Sequence, residues 1–229
     1  MIHLMKAEDA DSSANPAIRL QILATEHWSL LASRSTAQSE VLSRISILLT
    51  LVSAGLVSLA LIGQATKFDA LFGGIAVAVV GFVLLVGILT QARVSNVGIE
   101  DLMYVLAMNR LRGHYARLDP QAAEAFMASP HDDRMGSITT YYFLGRRSSL
   151  AQFIGSTMMF IIAVNAALIA AFVVAVARLT ALPGVAAASC AIVIAVAFLA
   201  VSIATSGRRY FRLWHDFRPQ FPTQDDSAM

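Results

Sequence analysis

The sequence is poor in charge. Asp, Glu, Lys and Arg make up 14% of its 229 residues, whereas soluble domains carry about a quarter. The deficit is concentrated: residues 45–64, 71–91, 153–177 and 185–206 contain no Asp, Glu, Lys, Arg or His. Cysteine is nearly missing as well. Cys190 stands alone, so no intrachain disulfide can form and nothing suggests an oxidised, stapled ectodomain. Cys190 itself reads as a small helix-packing residue. Lysine is scarce, two against fifteen arginines, which reads as the coding bias of a GC-rich bacterial genome. No basic face is dense or interleaved with exposed aromatics, which argues against a nucleic-acid partner. The motifs of catalysis are also lacking: there is no G-x-S-x-G elbow, phosphate loop, HExxH or zinc-type spacing. The expectation is a non-enzymatic protein without cofactor or metal.

What remains is apolar. Hydrophobic residues make up 57% of the chain, and the four charge-free stretches each reach the roughly 20 residues that a helix needs to cross a bilayer core. Backbone exposed to lipid must satisfy its own hydrogen bonds, so each stretch is predicted to be helical, and none alternates in polarity as a barrel strand does. The fold class is all-α, a polytopic four-transmembrane-helix bundle with helical cytoplasmic extensions. The divisions are 1–44 (N-terminal segment with an amphipathic helix), 45–91 (first hairpin), 92–152 (cytoplasmic helical collar), 153–206 (second hairpin) and 207–229 (tail). The nine charges of the first 44 residues leave no apolar core for a cleaved leader, so the first span is expected to be a permanent anchor.

Orientation follows from the arginines and lysines. Segments 1–44, 92–152 and 207–229 together carry 15, while the two short connections carry only Lys67 and Arg178. The positive-inside rule then puts both termini in the cytoplasm of a bacterial inner membrane. The outer connections span about six or seven residues each, too few for a receptor ectodomain.

Asn15-Pro16 is a helix start, and no Gly or Pro falls between Ala17 and Ala54. The spacing predicts one long helix over 16–64, or two collinear ones, about 70 Å in length. Its cytoplasmic half shows apolar spacing at Leu20, Leu23, His27, Leu30, Leu31 and Arg34. Helical spacing resumes over 98–118, followed by short helices expected at 121–128 and 138–150 with a loop at Ser129–Asp133. Arg34-Ser35-Thr36-Ala37-Gln38 and Arg147-Ser148-Ser149-Leu150-Ala151-Gln152 precede the two hairpins and hint at a repeat.

Candidate functional residues fall into three groups. Thr50, Ser53, Ser58, Ser156, Thr157 and Asn165 are the polar points of the first and third spans. They suit a pore lining or interhelical hydrogen bonds, and Asn165 needs a partner at mid-membrane. Small residues at Gly74 and Ala78, and at Ala163, Ala167 and Ala171, form narrow ridges suited to close helix contact. Arg110, Arg112 and Arg117 suit anionic headgroups or a ligand, or else salt bridges to Glu100, Asp101, Asp119 and Glu124; Arg208, Arg209 and Arg212, with neighbouring aromatics, read as interfacial anchors. His131-Asp132-Asp133, with Asp119 or His114, is the one compact cluster of ligand-type side chains, and a polar loop is the simpler reading.

Met108-Asn109-Arg110-Leu111-Arg112, Tyr115, Asp119-Pro120, Ser129-Pro130-His131-Asp132-Asp133 and Glu26-His27-Trp28-Ser29-Leu30-Leu31 resemble an uncharacterised family of bacterial four-transmembrane-helix inner-membrane proteins. The resemblance would cover most of the chain and implies no activity, cofactor or partner. The expected function is a homo-oligomeric scaffold, sensor or effector that contacts membrane lipids and a cytoplasmic protein partner through its inner helices. An oligomeric ion channel is the alternative.

Overall fold

Two helices of about fifty residues dominate the chain, because no helix-stopping residue interrupts either. The computed structural model describes residues 16–145, 148, 153–180 and 182–223. Helix α1 runs Pro16–Thr66 without a break, and α2 runs Ala70–Leu118. Between them Lys67 and Phe68 adopt φ of 53° and 58°, a left-handed conformation that costs an L-residue roughly 1–2 kcal/mol. The turn is held by Phe68 N–H donating to Gly63 O at 3.0 Å, and Asp69 caps α2 by accepting from Phe72 N–H at 3.0 Å. Gly63 lacks a side chain where the Phe68 ring lies against the helix.

Asp119-Pro120 ends α2 and starts α3, Pro120–Ala123, with the Asp119 carboxylate accepting from Ala122 N–H. This helix is shorter than the expected 121–128. From Glu124 to Phe126 the N–H groups bond three residues back, the tighter pattern of a helix running out. Helix α4 covers Arg134–Tyr141 and starts before the expected residue 138, because the Asp133 carboxylate caps it at Gly136 N–H; most of residues 146–150 at the far end of the expected piece lie outside the described residues. Helix α5 is Thr157–Leu179. The third span therefore does not begin its regular helix at Phe153: the Ser156 hydroxyl caps the helix at Met159 N–H. Helix α6, Gly184–Asp216, continues past the predicted boundary at Ser206 and carries the basic-aromatic run on the same helix. Most of the second half of the suspected repeat lies outside the described residues.

Helices α1, α2, α5 and α6 are each long and apolar enough to cross a membrane, and no strand occurs among the described residues. The chain is an all-α membrane protein. Its contacts divide into two units, one of Ala37–Glu100 and Arg147–Phe217, the other of Met1–Thr36, Asp101–Arg146 and Arg218–Met229; α1 and α2 supply residues to both.

In the first, apolar unit, Ala37, Val41, Ile45 and Leu48 of α1 pack with Val83, Val94 and Val97 of α2 and Ile161 of α5. Steps of three and four residues on α1, and of eleven and three on α2, put each set on one helix face. Outward-facing Leu56, Leu61, Phe82, Ile192 and Val193 are exposed, as a lipid-facing surface requires. Small residues make the close approaches, at different positions from the predicted ridges. Gly73 meets Leu179 and Gly81 meets Phe172, whereas Gly74, Ala78, Ala163, Ala167 and Ala171 face outward. Cys190 is likewise exposed on α6 and is not a packing residue within the chain. Glu40 accepts from Arg93 at 2.7 Å and from Arg44 at 2.9 Å, and Arg93 also holds Glu100. These two arginines draw the Glu40 carboxyl below its usual pKa.

Candidate functional site

The second unit is polar, and buried hydrogen bonds organise it. Asn109, on α2, is fully buried; its amide donates to His131 O at 2.9 Å and accepts from Arg112 at 2.7 Å and the Thr140 hydroxyl at 2.9 Å. One side chain thus ties α2 to the 129–133 loop and to α4. Asp132 is also fully buried. Its carboxylate accepts from Arg110 Nε at 2.7 Å, Phe221 N–H at 2.7 Å and Gln220 N–H at 3.1 Å, while its own N–H donates to Phe221 O. Asp133 caps α4 and accepts from the Thr223 N–H and hydroxyl. Burial pushes the Asp133 carboxyl up, but the Gly136 and Thr223 donors outweigh it and hold the pKa below the usual range.

These contacts explain what the His131-Asp132-Asp133 cluster does. Asp132 and Asp133 hold the segment Gln220–Thr223 beside α2, while the His131 carbonyl is held by Asn109. Phe221 then fills the space left by Gly113, with the Arg117 guanidinium 4.2 Å from its ring centroid and the His114 ring edge-on at 4.9 Å. No group of three or more His, Cys, Asp or Glu side chains suited to a metal ion occurs among the described residues.

The arginines singled out in the sequence are placed by the same network. Arg110 pairs with Asp132, a carboxylate outside the four expected, and Arg112 is turned inward onto Asn109. Burial lowers the Arg112 pKa, and the Arg34 charge adds to this. Arg34 holds Asp101 at 2.7 Å, and the Tyr141 hydroxyl donates to the same carboxylate at 2.6 Å. Burial, with the Asp101 charge, raises the Tyr141 pKa strongly. Arg208 and Arg212 are exposed beside Tyr210, Phe211 and Trp214 on α6, while Arg209 reaches Ser95 Oγ at 3.2 Å.

Beside this network lies an open apolar groove of about 790 Å³. One wall is the first turns of α1, with Ala17, Leu20, Ala24, Trp28 and Leu31; the other is Leu118, Ala122 and Phe126. At one point His27 and Tyr115 stack, with ring centroids 6.0 Å apart. Burial lowers the His27 pKa and Arg112 lowers it further. Trp28 is 71% exposed on the wall, an unusual position for so large an apolar side chain. Leu20, His27 and Leu31 of the apolar spacing seen in the sequence are among the lining residues, and that spacing was the sequence's trace of this face. The opposite wall left no such trace, because it crosses the α2–α3 break.

The polar points of the apolar unit separate. Asn165 is fully buried and donates to Gly87 O at 2.9 Å and to Gln91 Oε1 at 2.8 Å; Gln91 in turn donates to Ser202. This chain links α2, α5 and α6. Ser156 is the cap of α5, and Thr157, Thr50, Ser53 and Ser58 are exposed. Comparison of the chain with family models, curated proteins and solved structures gives no match.

Proposed function

We propose that the protein is a non-enzymatic, homo-oligomeric scaffold, sensor or effector of the bacterial inner membrane, acting through its cytoplasmic helical unit. The carrying observation is the apolar groove. Asp132, Asp133 and Asp101, with the Asn109 amide, are taken up in holding the unit together. The groove is what remains for recognition, and an open, mostly apolar concavity with a few polar groups is the usual form of a binding surface. The 15-to-two distribution of Lys and Arg supports a cytoplasmic placement of this unit and of both termini. The local strings around Asn109 and His131 support membership of the four-span family they resemble. Arg208 and Arg212 are suited to lipid headgroups at the membrane surface.

A second reading, an oligomeric channel, is favoured by one feature of α1. Ser39, Ser43, Ser46, Thr50 and Ser53 follow alternating steps of four and three and are all exposed. Such a stripe suits either a close seam between copies or a polar wall. Ser46 and Thr50 turn their hydroxyls to their own helix, onto Leu42 O and Ser46 O, which suits a seam. Asn165 is engaged inside the chain, so a pore would draw its lining from α1.

Mass measurement in native lipid discs, followed by ion flux in liposomes, tests both. The scaffold reading expects an oligomer that does not conduct. Conductance that falls when Thr50 and Ser53 are changed to leucine would replace it with the channel.

A further inference from the structure

We infer that the groove binds a long-chain carboxylate, with its hydrocarbon chain between the two apolar walls and its head at His27, Tyr115 and Arg112. The inference rests on the groove as the working surface of the proposed function and names the ligand class that surface takes.

The argument begins with the polar point of the groove. His27 and Tyr115 are half-buried and stacked there. Among the described residues neither the His27 ring nitrogens nor the Tyr115 hydroxyl has a hydrogen-bond partner. Arg112 lies one turn before Tyr115 on α2, and its charge acts on both groups. Its hydrogen bond runs from Nη1 to the Asn109 side-chain oxygen at 2.7 Å, and among the described residues no carboxylate pairs with it. The charge that acts on Arg112 from α1 is Arg34, of the same sign and itself matched by Asp101. One half-buried guanidinium is thus left without a counter-ion beside two unused polar groups. A carboxylate supplies what is missing, and its two oxygens match the guanidinium fork.

The rest of the groove suits a hydrocarbon chain. Beyond the stacked pair, Ala17, Leu20 and Ala24 of α1 stand across from Leu118, Ala122 and Phe126. From His27 back to Ala17 the α1 wall is about 15 Å long at 1.5 Å per residue. Each methylene withdrawn from water there strengthens binding up to roughly fourfold. The carboxylate on this wall, Asp119, is turned to Ala122 N–H as the cap of α3. The volume of about 790 Å³ falls in the range of small-ligand sites, about 300–1,000 Å³, and apolar walls with a few convergent polar groups are their usual make-up.

Trp28, on the wall next to His27, provides the readout, with Trp214→Phe leaving it as the sole tryptophan. The full-length protein in lipid discs is titrated with stearate brominated at mid-chain, which quenches a tryptophan that the chain touches. The expected result is saturable quenching, weakened about tenfold or more when the methyl ester replaces the acid, because a hydrogen bond to a charged group is lost. Arg112→Gln should weaken the acid and leave the ester unchanged, which also shows that the groove still forms; Leu20→Asp should weaken both.

Three results overturn the inference. Without saturable quenching there is no ligand of this class. Equal quenching by acid and ester means that no anion is selected, and returns the groove to a protein partner. Quenching by brominated phosphatidylcholine built into the disc, with no acid added, assigns the groove to bilayer lipid. Mass and ion flux judge the scaffold reading separately: a conducting oligomer with saturable, acid-selective quenching keeps the ligand and loses the scaffold, and a silent oligomer without quenching does the reverse.

Discussion

Asp132 and Arg110, 22 residues apart in sequence, form an ion pair of 2.7 Å whose carboxylate is wholly inaccessible to solvent. The same carboxylate receives two backbone N–H groups from Gln220 and Phe221. A buried charge with three donors loses all of them together when the side chain is removed. Asp132→Ala is therefore expected to destabilise the polar unit by about 3 kcal/mol or more, and Asp132→Asn by less. Thermolysin cleavage within 218–223 is the check: it should become rapid in Asp132→Ala. Unchanged protection would mean that Phe221 and its neighbours hold the segment without Asp132.

Gly87 and Asn165 give a second test, in the apolar unit. A Cβ on residue 87 would collide with the Asn165 side-chain oxygen. Gly87→Ala is expected to cost about 1–3 kcal/mol through overpacking. Asn165→Ala, which removes the interhelical bonds to Gly87 and Gln91, should cost about 0.6–2 kcal/mol. Equilibrium unfolding in mixed micelles measures both. Because the pair is in contact, the double variant should cost less than the sum.

His27 sets a pH dependence. Burial and then Arg112 hold its pKa below the ordinary 6.5. The unfolded chain therefore takes up a proton at a higher pH than the folded one. Stability is fully present above pH 6.5 and is lost as pH falls from there through the folded value. Thermal melts followed at Trp28 should show this loss, and His27→Gln should remove it. A loss starting only below pH 4, where Asp133 titrates in the unfolded chain, would place the sensitivity elsewhere.

The turn between α1 and α2 carries the fourth expectation. Lys67 holds φ at 53°, which glycine adopts freely. Lys67→Gly should stabilise the hairpin by about 1 kcal/mol, and Lys67→Val should destabilise it, since a β-branched residue is poorly tolerated there. Unfolding of the two variants against the parent decides the sign.

The spans were legible because crossing a bilayer is a matter of length and composition. The continuity of α1 through residue 66 was legible for a related reason: nothing between Ala17 and Ala54 interrupts hydrogen bonding along the helix. Boundaries failed where a single cap decided them. Asp133 and Ser156 each fix a helix start that periodicity had placed several residues away.

The site was much less legible. Arg110 has its 2.7 Å ion pair with Asp132, 22 residues away, and Asp132 found its N–H donors 88 and 89 residues away. Periodicity reports which face of a helix is apolar and is silent about what that face meets. The sequence by itself determined an all-helical membrane chain, the four apolar helices and the polar residues that separate them, because those properties are local. Only tertiary structure decided that Asn165 is held by α2, that Asp132 and Asp133 clasp Gln220–Thr223, and that the walls carrying Trp28 and Leu118 stand apart as a groove, because each depends on segments distant in the chain being packed together.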